Sequence, residues 1–277
     1  YYQLPEVKKT DSLMLSITDA SGRVVRTLSS RRDTSFHRWD GGPPPEPKLP
    51  AAKGLNRFVW DLRHATMAGV PGVYIEASYR GHKVSPGTYT LSLTLGDRVV
   101  KTVAEVRAAP VYTTDAATYA DYDRFMSRAE GETTRMHEMV NELFDAKEQL
   151  SAILATLPNE SRFTDVRKDG AALLEKLTTW DSAMVSRKSK AYDDVENFAQ
   201  KFTANWLFMI NATESELPRV NQPSRDRLSE LEPEWAALRA RGDAMLNDDI
   251  QALNRRLFDL GVGAIKAKKP VVPGKIG

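Results

Sequence analysis

Residues 116–157, AATYADYDRFMSRAEGETTRMHEMVNELFDAKEQLSAILATL, carry a seven-residue repeat that can be counted directly. Tyr122, Ala129, Met136, Leu143, Leu150 and Leu157 hold one seam position, and Met126, Thr133, Val140, Lys147 and Leu154 hold the position four further on. Apolar residues at this spacing line one side of a helix and bury it against other helices in coiled-coil fashion, with Thr133 and Lys147 as the only interruptions of the strip. Thr113-Thr114-Asp115 supplies N-cap chemistry in front of it. At about 1.5 Å per residue the helix spans on the order of 60 Å, long for a compact domain.

Pro158-Asn159 stops this helix, and further helical segments follow. One runs from about Thr164 to Val185, with Val166, Leu173, Leu174, Leu177 and Trp180 on one side. A less regular stretch, Tyr192 to Asn211, carries Phe198, Phe202, Trp206 and Ile210 at spacings of four. The last, near Ser224 to Leu260, has the reach to cover the first, which makes the first long helix its expected partner. Residues 111–265 thus read as an elongated antiparallel helical bundle, and 266–277, basic and rich in Pro and Gly, as a disordered tail.

Towards the N-terminus the pattern changes near Pro110. Leu13, Leu15 and Ile17 alternate with polar neighbours, Asp19-Ala20-Ser21-Gly22 offers turn chemistry, and Val24, Val25 and Leu28 return. Thr88 to Leu95 alternates Tyr89, Leu91, Leu93 and Leu95 inward, Gly96-Asp97 turns, and Val99 to Val106 returns. Phe58 and Trp60 mark a strand between these hairpins, preceded by Gly54. No helix-length crossover separates the strands, so residues 1–110 read as a β-sandwich. Gly41 to Pro50, with five prolines, reads as an extended surface excursion.

The chemistry of the chain excludes more than it offers. Its 39 basic and 37 acidic side chains leave a formal charge of +2, spread along the length, which disfavours nucleic acid and membrane surfaces as partners. Without cysteine there is no disulfide framework, thiolate metal site or cysteine nucleophile. His137-Glu138-Met139-Val140-Asn141 departs from the metalloprotease HExxH helix at Asn141, and reads as a surface His–Glu pair. His37, His64, His82 and His137 lie outside metal-ligand spacing of one another in sequence, so neither a metal nor a cofactor is implied. Asp193-Asp194 and Asp248-Asp249 read as solvated faces, because adjacent acids on a helix point apart. Trp60, Trp180, Trp206 and Trp235 read as core; Trp39, beside Asp40-Gly41 and the proline run, is the one candidate for ligand contact.

The segments SITDASGRVVRTL, GLNRFVWDLR and VSPGTYTLSLTL resemble the immunoglobulin-like fold of hook-capping proteins, which closes many exported bacterial chains. The order of GLNRFVWDLR, SPGTYT, a long helix and LNDDIQALNRRLFDLGV resembles the C-terminal region of bacterial BNR-repeat, sortilin-like β-propeller proteins labelled glycosyl hydrolases. Gly54, Asn56, Arg57, Trp60, Asp61 and Arg63, then Pro86, Gly87 and Tyr89, carry it. The resemblance implies an exported parent with its propeller upstream, in keeping with an opening on Tyr1-Tyr2-Gln3 rather than Met. It transfers no catalytic residue. The expected role is a non-catalytic accessory module that packs on the propeller or binds a protein; the alternative is a carbohydrate-binding module using Trp39. Physically, Trp60 is expected in the sandwich core, Gly87 to permit a tight turn begun by Pro86, and Asp61 and Arg63 to pair or to meet the helices.

Overall fold

The computed structural model describes residues 1–8, 11–111, 113–214 and 218–267, and shows mixed α and β structure. Six strands come first: β1 (Tyr2–Leu4), β2 (Leu13–Thr18), β3 (Val24–Ser29), β4 (Gly54–Asn56), β5 (Gly87–Leu95) and β6 (Arg98–Val106). They form a four-stranded antiparallel sheet in the order β3-β2-β5-β6 and a two-stranded antiparallel pair, β1-β4. Both hairpins read from the alternation are present. In the first, Asp19 Oδ1 accepts the backbone N–H groups of Ser21 and Arg23, and Gly22 takes the left-handed conformation at φ 83°. Leu13, Ile17, Val25, Leu28 and Tyr89 of the large sheet share one interior with Leu4 of β1, Leu49 and Val84.

The helices are α1 (Ala116–Thr156), α2 (Thr164–Met184), the short α3 (Asp194–Asn197), α4 (Phe202–Glu214), α5 (Gln222–Ala244) and α6 (Ile250–Asp259). Asp115 caps α1 by accepting the Thr118 N–H at 2.7 Å. Among the described residues no helix is long and apolar enough to cross a membrane.

Three expectations change here. The stretch 192–211 is not one helix: α3 ends at Asn197 and α4 starts at Phe202, beyond a break that leaves Phe198 only half-buried. The last helix is continuous only through a π-helical turn, Met245–Asp249. Nor is α1 its main partner, for α1 packs most extensively on α2, α5 lies chiefly on α4, and α6 on α2. Gly242 brings α5 close, since a Cβ there would stand 2.4 Å from Met139 Sδ and 3.2 Å from the Trp180 ring.

The proline-rich segment is a strap rather than an excursion. Leu49 is buried and donates its N–H to Ser29 O at 2.9 Å, while Glu46 accepts from the buried Arg26 guanidinium and from the Thr66 N–H. The strands end at Val106 and α1 starts at Ala116, yet the interiors do not divide there. Met67, Val70, Val73, Ile75 and Tyr79 belong to the core of the helices. Burying these side chains stabilises by roughly 1.5–3 kcal/mol each. Of the expected tail, Lys266 gives its N–H to Gln149 Oε1 and Ala267 packs on the helical core; residues 268–277 lie outside the described residues.

Candidate functional site

The segment that crosses between the interiors is irregular, but its two arms are joined. His64 N–H donates to His82 O at 3.0 Å, Val84 N–H to Leu62 O at 2.8 Å, and Met67 N–H to Tyr79 O at 2.8 Å. This antiparallel arrangement, with a bridge between Arg63 and Lys83, stacks the imidazoles of His64 and His82 at a centroid distance of 4.1 Å. The stack lies against α1, where Asp123 and Glu130 stand seven residues apart on one side. His82 N–H donates to Glu130 Oε1 at 2.7 Å, and its Nδ1 is 2.9 Å from Glu130 Oε2. Asp123 Oδ1 lies 3.3 Å from Nε2 of His82 and 3.3 Å from Nε2 of His64. The other Asp123 oxygen accepts from Arg23 Nη2 at 2.6 Å, which ties the first hairpin to the same helix.

Electrostatics follow from that packing. Burial alone would depress the His82 pKa, but hydrogen bonds to Asp123 and Glu130 outweigh it and raise the value to about 9. His64, desolvated and with less compensation from Asp123, is shifted down. Burial likewise works against the Asp123 carboxylate, yet its bonds to His64, His82 and Arg23 prevail and hold it well below the usual range. One ligand atom from each of His64, His82 and Asp123 falls within 4.8 Å of the others, so these three side chains have the donor set and the proximity to hold a metal ion.

Sequence spacing missed this group. His64 and His82 are 18 positions apart, and only the backbone pairing of an irregular segment makes them neighbours. The legible signal was Glu130, an acid adjoining Ala129 on the apolar side of α1, where a buried carboxylate demands a partner.

The second polar contact corrects the reading of the HExxN stretch. His137 is fully buried, with Nδ1 2.6 Å from Ala68 O, and Asn141 Nδ2 donates to Gly69 O at 3.0 Å. One turn apart on α1, the two side chains clamp the loop at 68–69; Glu138 alone faces solvent. Burial lowers the His137 pKa to about 4, with partial compensation from the Ala68 carbonyl.

The quoted signature residues have structural places. Gly54 is left-handed at φ 95°, and the buried Asn56 closes the turn by bonding Ala52 and Gly54. Arg57 lies exposed near the Tyr1 ring. Trp60 is half-buried, edge-on to Tyr89 at 5.6 Å, in irregular backbone rather than in a strand. Asp61 accepts from Arg26, and Arg63 donates to Gly81 O and to Glu214 of α4. Gly87 is not left-handed; it opens β5 in the ordinary region, behind the half-buried Pro86. Tyr89 OH donates to Ser85 O at 2.6 Å. Trp39 is half-buried; its indole N–H donates to Val73 O at 3.0 Å, and Gly42 and Gly69 lie close against the ring. Trp39 therefore has its polar edge engaged.

No protein family model matches the chain, and no curated protein or solved structure is significantly similar to it.

Proposed function

We propose that the chain is a non-catalytic accessory and interaction module of a larger exported β-propeller protein, with the upstream propeller of the same parent as its partner. In this reading the strand part is an immunoglobulin-like sandwich whose second layer is the β1-β4 pair. The helices form an antiparallel bundle carried on it.

The observation that carries the reading is the open edge of the large sheet. β6 is nine residues long and, among the described residues, pairs on one side only, with β5. Val99, Val100 and Val103 on it are 53%, 67% and 66% exposed. Long apolar edges invite pairing with another chain, and proteins ordinarily blunt them with charge, proline or a covering segment. Here Arg98, Lys101 and Glu105 supply charge, but three valines remain uncovered. A partner that covers them accounts for the arrangement.

The test is association of this chain with the propeller-containing remainder of its parent, followed by sedimentation. The expected result is a complex that Val99→Lys with Val103→Lys weakens about tenfold, a loss of about 1.4 kcal/mol, without lowering the melting temperature of the isolated chain. Turnover of glycosidic substrates by the isolated chain, or association indifferent to the two substitutions, contradicts the reading.

A further inference from the structure

We infer that His64, His82 and Asp123 form a binding site for a zinc-class divalent cation, placed at the junction between the His64–His82 segment and α1. Three features of the geometry carry it, and they are independent of the β6 edge.

The first is distance. Asp123 Oδ1 is equidistant, at 3.3 Å, from two imidazole nitrogens. Charge-assisted hydrogen bonds from N–H to carboxylate run about 2.7–2.9 Å, so both contacts sit at the long end for hydrogen bonds. They are close to the edge of a tetrahedron around zinc, about 3.3 Å for ligand distances of about 2.0–2.1 Å.

The second is support behind the ligands. Glu130 Oε2 faces His82 Nδ1 at 2.9 Å, and Glu130 Oε1 accepts the backbone N–H of the same residue at 2.7 Å. A carboxylate on the remote nitrogen fixes the ring, keeps a proton on Nδ1 and aims Nε2 at the ion, as in carboxylate–histidine–metal triads. Asp123 is held in turn by Arg23 on its second oxygen.

The third is access. His82 is fully buried, but the side chains of His64 and Asp123 are 12% and 19% exposed, so two of the three ligands reach solvent. Two imidazoles and one carboxylate favour zinc and its neighbours over calcium or magnesium, which prefer all-oxygen sets. Because the rings stack within 13° of parallel, their in-plane lone pairs do not converge as they stand. Loading therefore turns His64, the more exposed of the two.

The experiment uses the whole chain, stripped with chelator and titrated with zinc chloride by calorimetry, then with cobalt(II) by visible absorption. Expected are one equivalent of zinc and the ligand-field bands of low-symmetry, near-tetrahedral cobalt. His64→Ala and Asp123→Asn should each weaken zinc about tenfold or more, and Glu130→Gln about 10- to 100-fold. His37→Ala, at an exposed histidine remote from the group in sequence, should leave binding unchanged. Variants are compared only where far-UV circular dichroism matches the parent, and His64→Ala removes the ring least needed for packing. No saturable zinc or cobalt binding by the parent chain overturns the inference. So does binding that survives both His64→Ala and Asp123→Asn, or that is lost in His37→Ala.

Discussion

His137 shows how far one buried ring can be responsible for a stability profile. Its pKa, about 4 in the folded chain against 6.5 for an unperturbed imidazole, means that the unfolded chain takes up a proton between those values and the folded chain does not. The stabilisation is complete above pH 6.5 and declines as pH falls towards 4. The neighbouring titratable ring is Tyr79, 5.9 Å away, whose own pKa burial raises, so it stays neutral throughout. Urea midpoints at pH 7 and pH 5 should differ in the parent, and the difference should shrink by up to about 1–2 kcal/mol in His137→Gln. An unchanged difference would show that the proton is taken up elsewhere. Asn141→Ala removes the second half of the clamp and leaves the Gly69 carbonyl unbonded, an expected cost of about 1–2 kcal/mol by the same assay. The HExxN spacing was legible as a failed zinc motif, but not as a clamp. Its targets are backbone carbonyls of residues 68–69, and backbone partners leave no mark in sequence.

Among the elements, α1 was the most legible, because a seven-residue apolar repeat and an Asp N-cap are local signals. Asp115→Ala should lower stability by about 1 kcal/mol, read from the thermal or urea midpoint. The hairpins were legible for the same reason, alternation broken by Asp19 to Gly22 and by Gly96-Asp97. Residues 57–86 were not. They carry no period, and their order comes from the Arg63–Lys83 bridge, from Leu62 at φ 58° and from close backbone approach at Gly81. A Cβ on Gly81 would stand 2.5 Å from Ala65 O and 2.6 Å from His64 C, both backbone atoms that cannot swing aside. Gly81→Ala should therefore part the two arms and cost about 1–3 kcal/mol. In the chemical-shift spectrum, the perturbation should centre on the His64 and His82 rings. The pairing of the last helix was misjudged because reach alone does not select a partner: Trp180 of α2 donates its indole N–H to Leu238 O, and Gly242 permits that approach.

At the scale of the molecule, two interiors are joined by one segment that serves both. Phe58, Trp60 and Val84 pack with the strands, Met67, Val70, Val73, Ile75 and Tyr79 pack with the helices, and His64, His82, Arg63 and Arg23 fasten the junction to α1 and α4. Division near Pro110 was readable as a change of periodicity. The sharing of the core was hidden because Met67, Val70, Val73 and Ile75 sit among turn residues without regular spacing. The accessory role proposed above, in which a propeller is joined to the helices through this segment, requires the junction to be rigid. Hydrogen exchange read by mass spectrometry on the intact chain tests that most directly. The amides of His64, Met67, His82 and Val84 should exchange as slowly as those in the middle of α1, and lose protection with them as urea is added. Fast exchange at these four positions while α1 stays protected would contradict it.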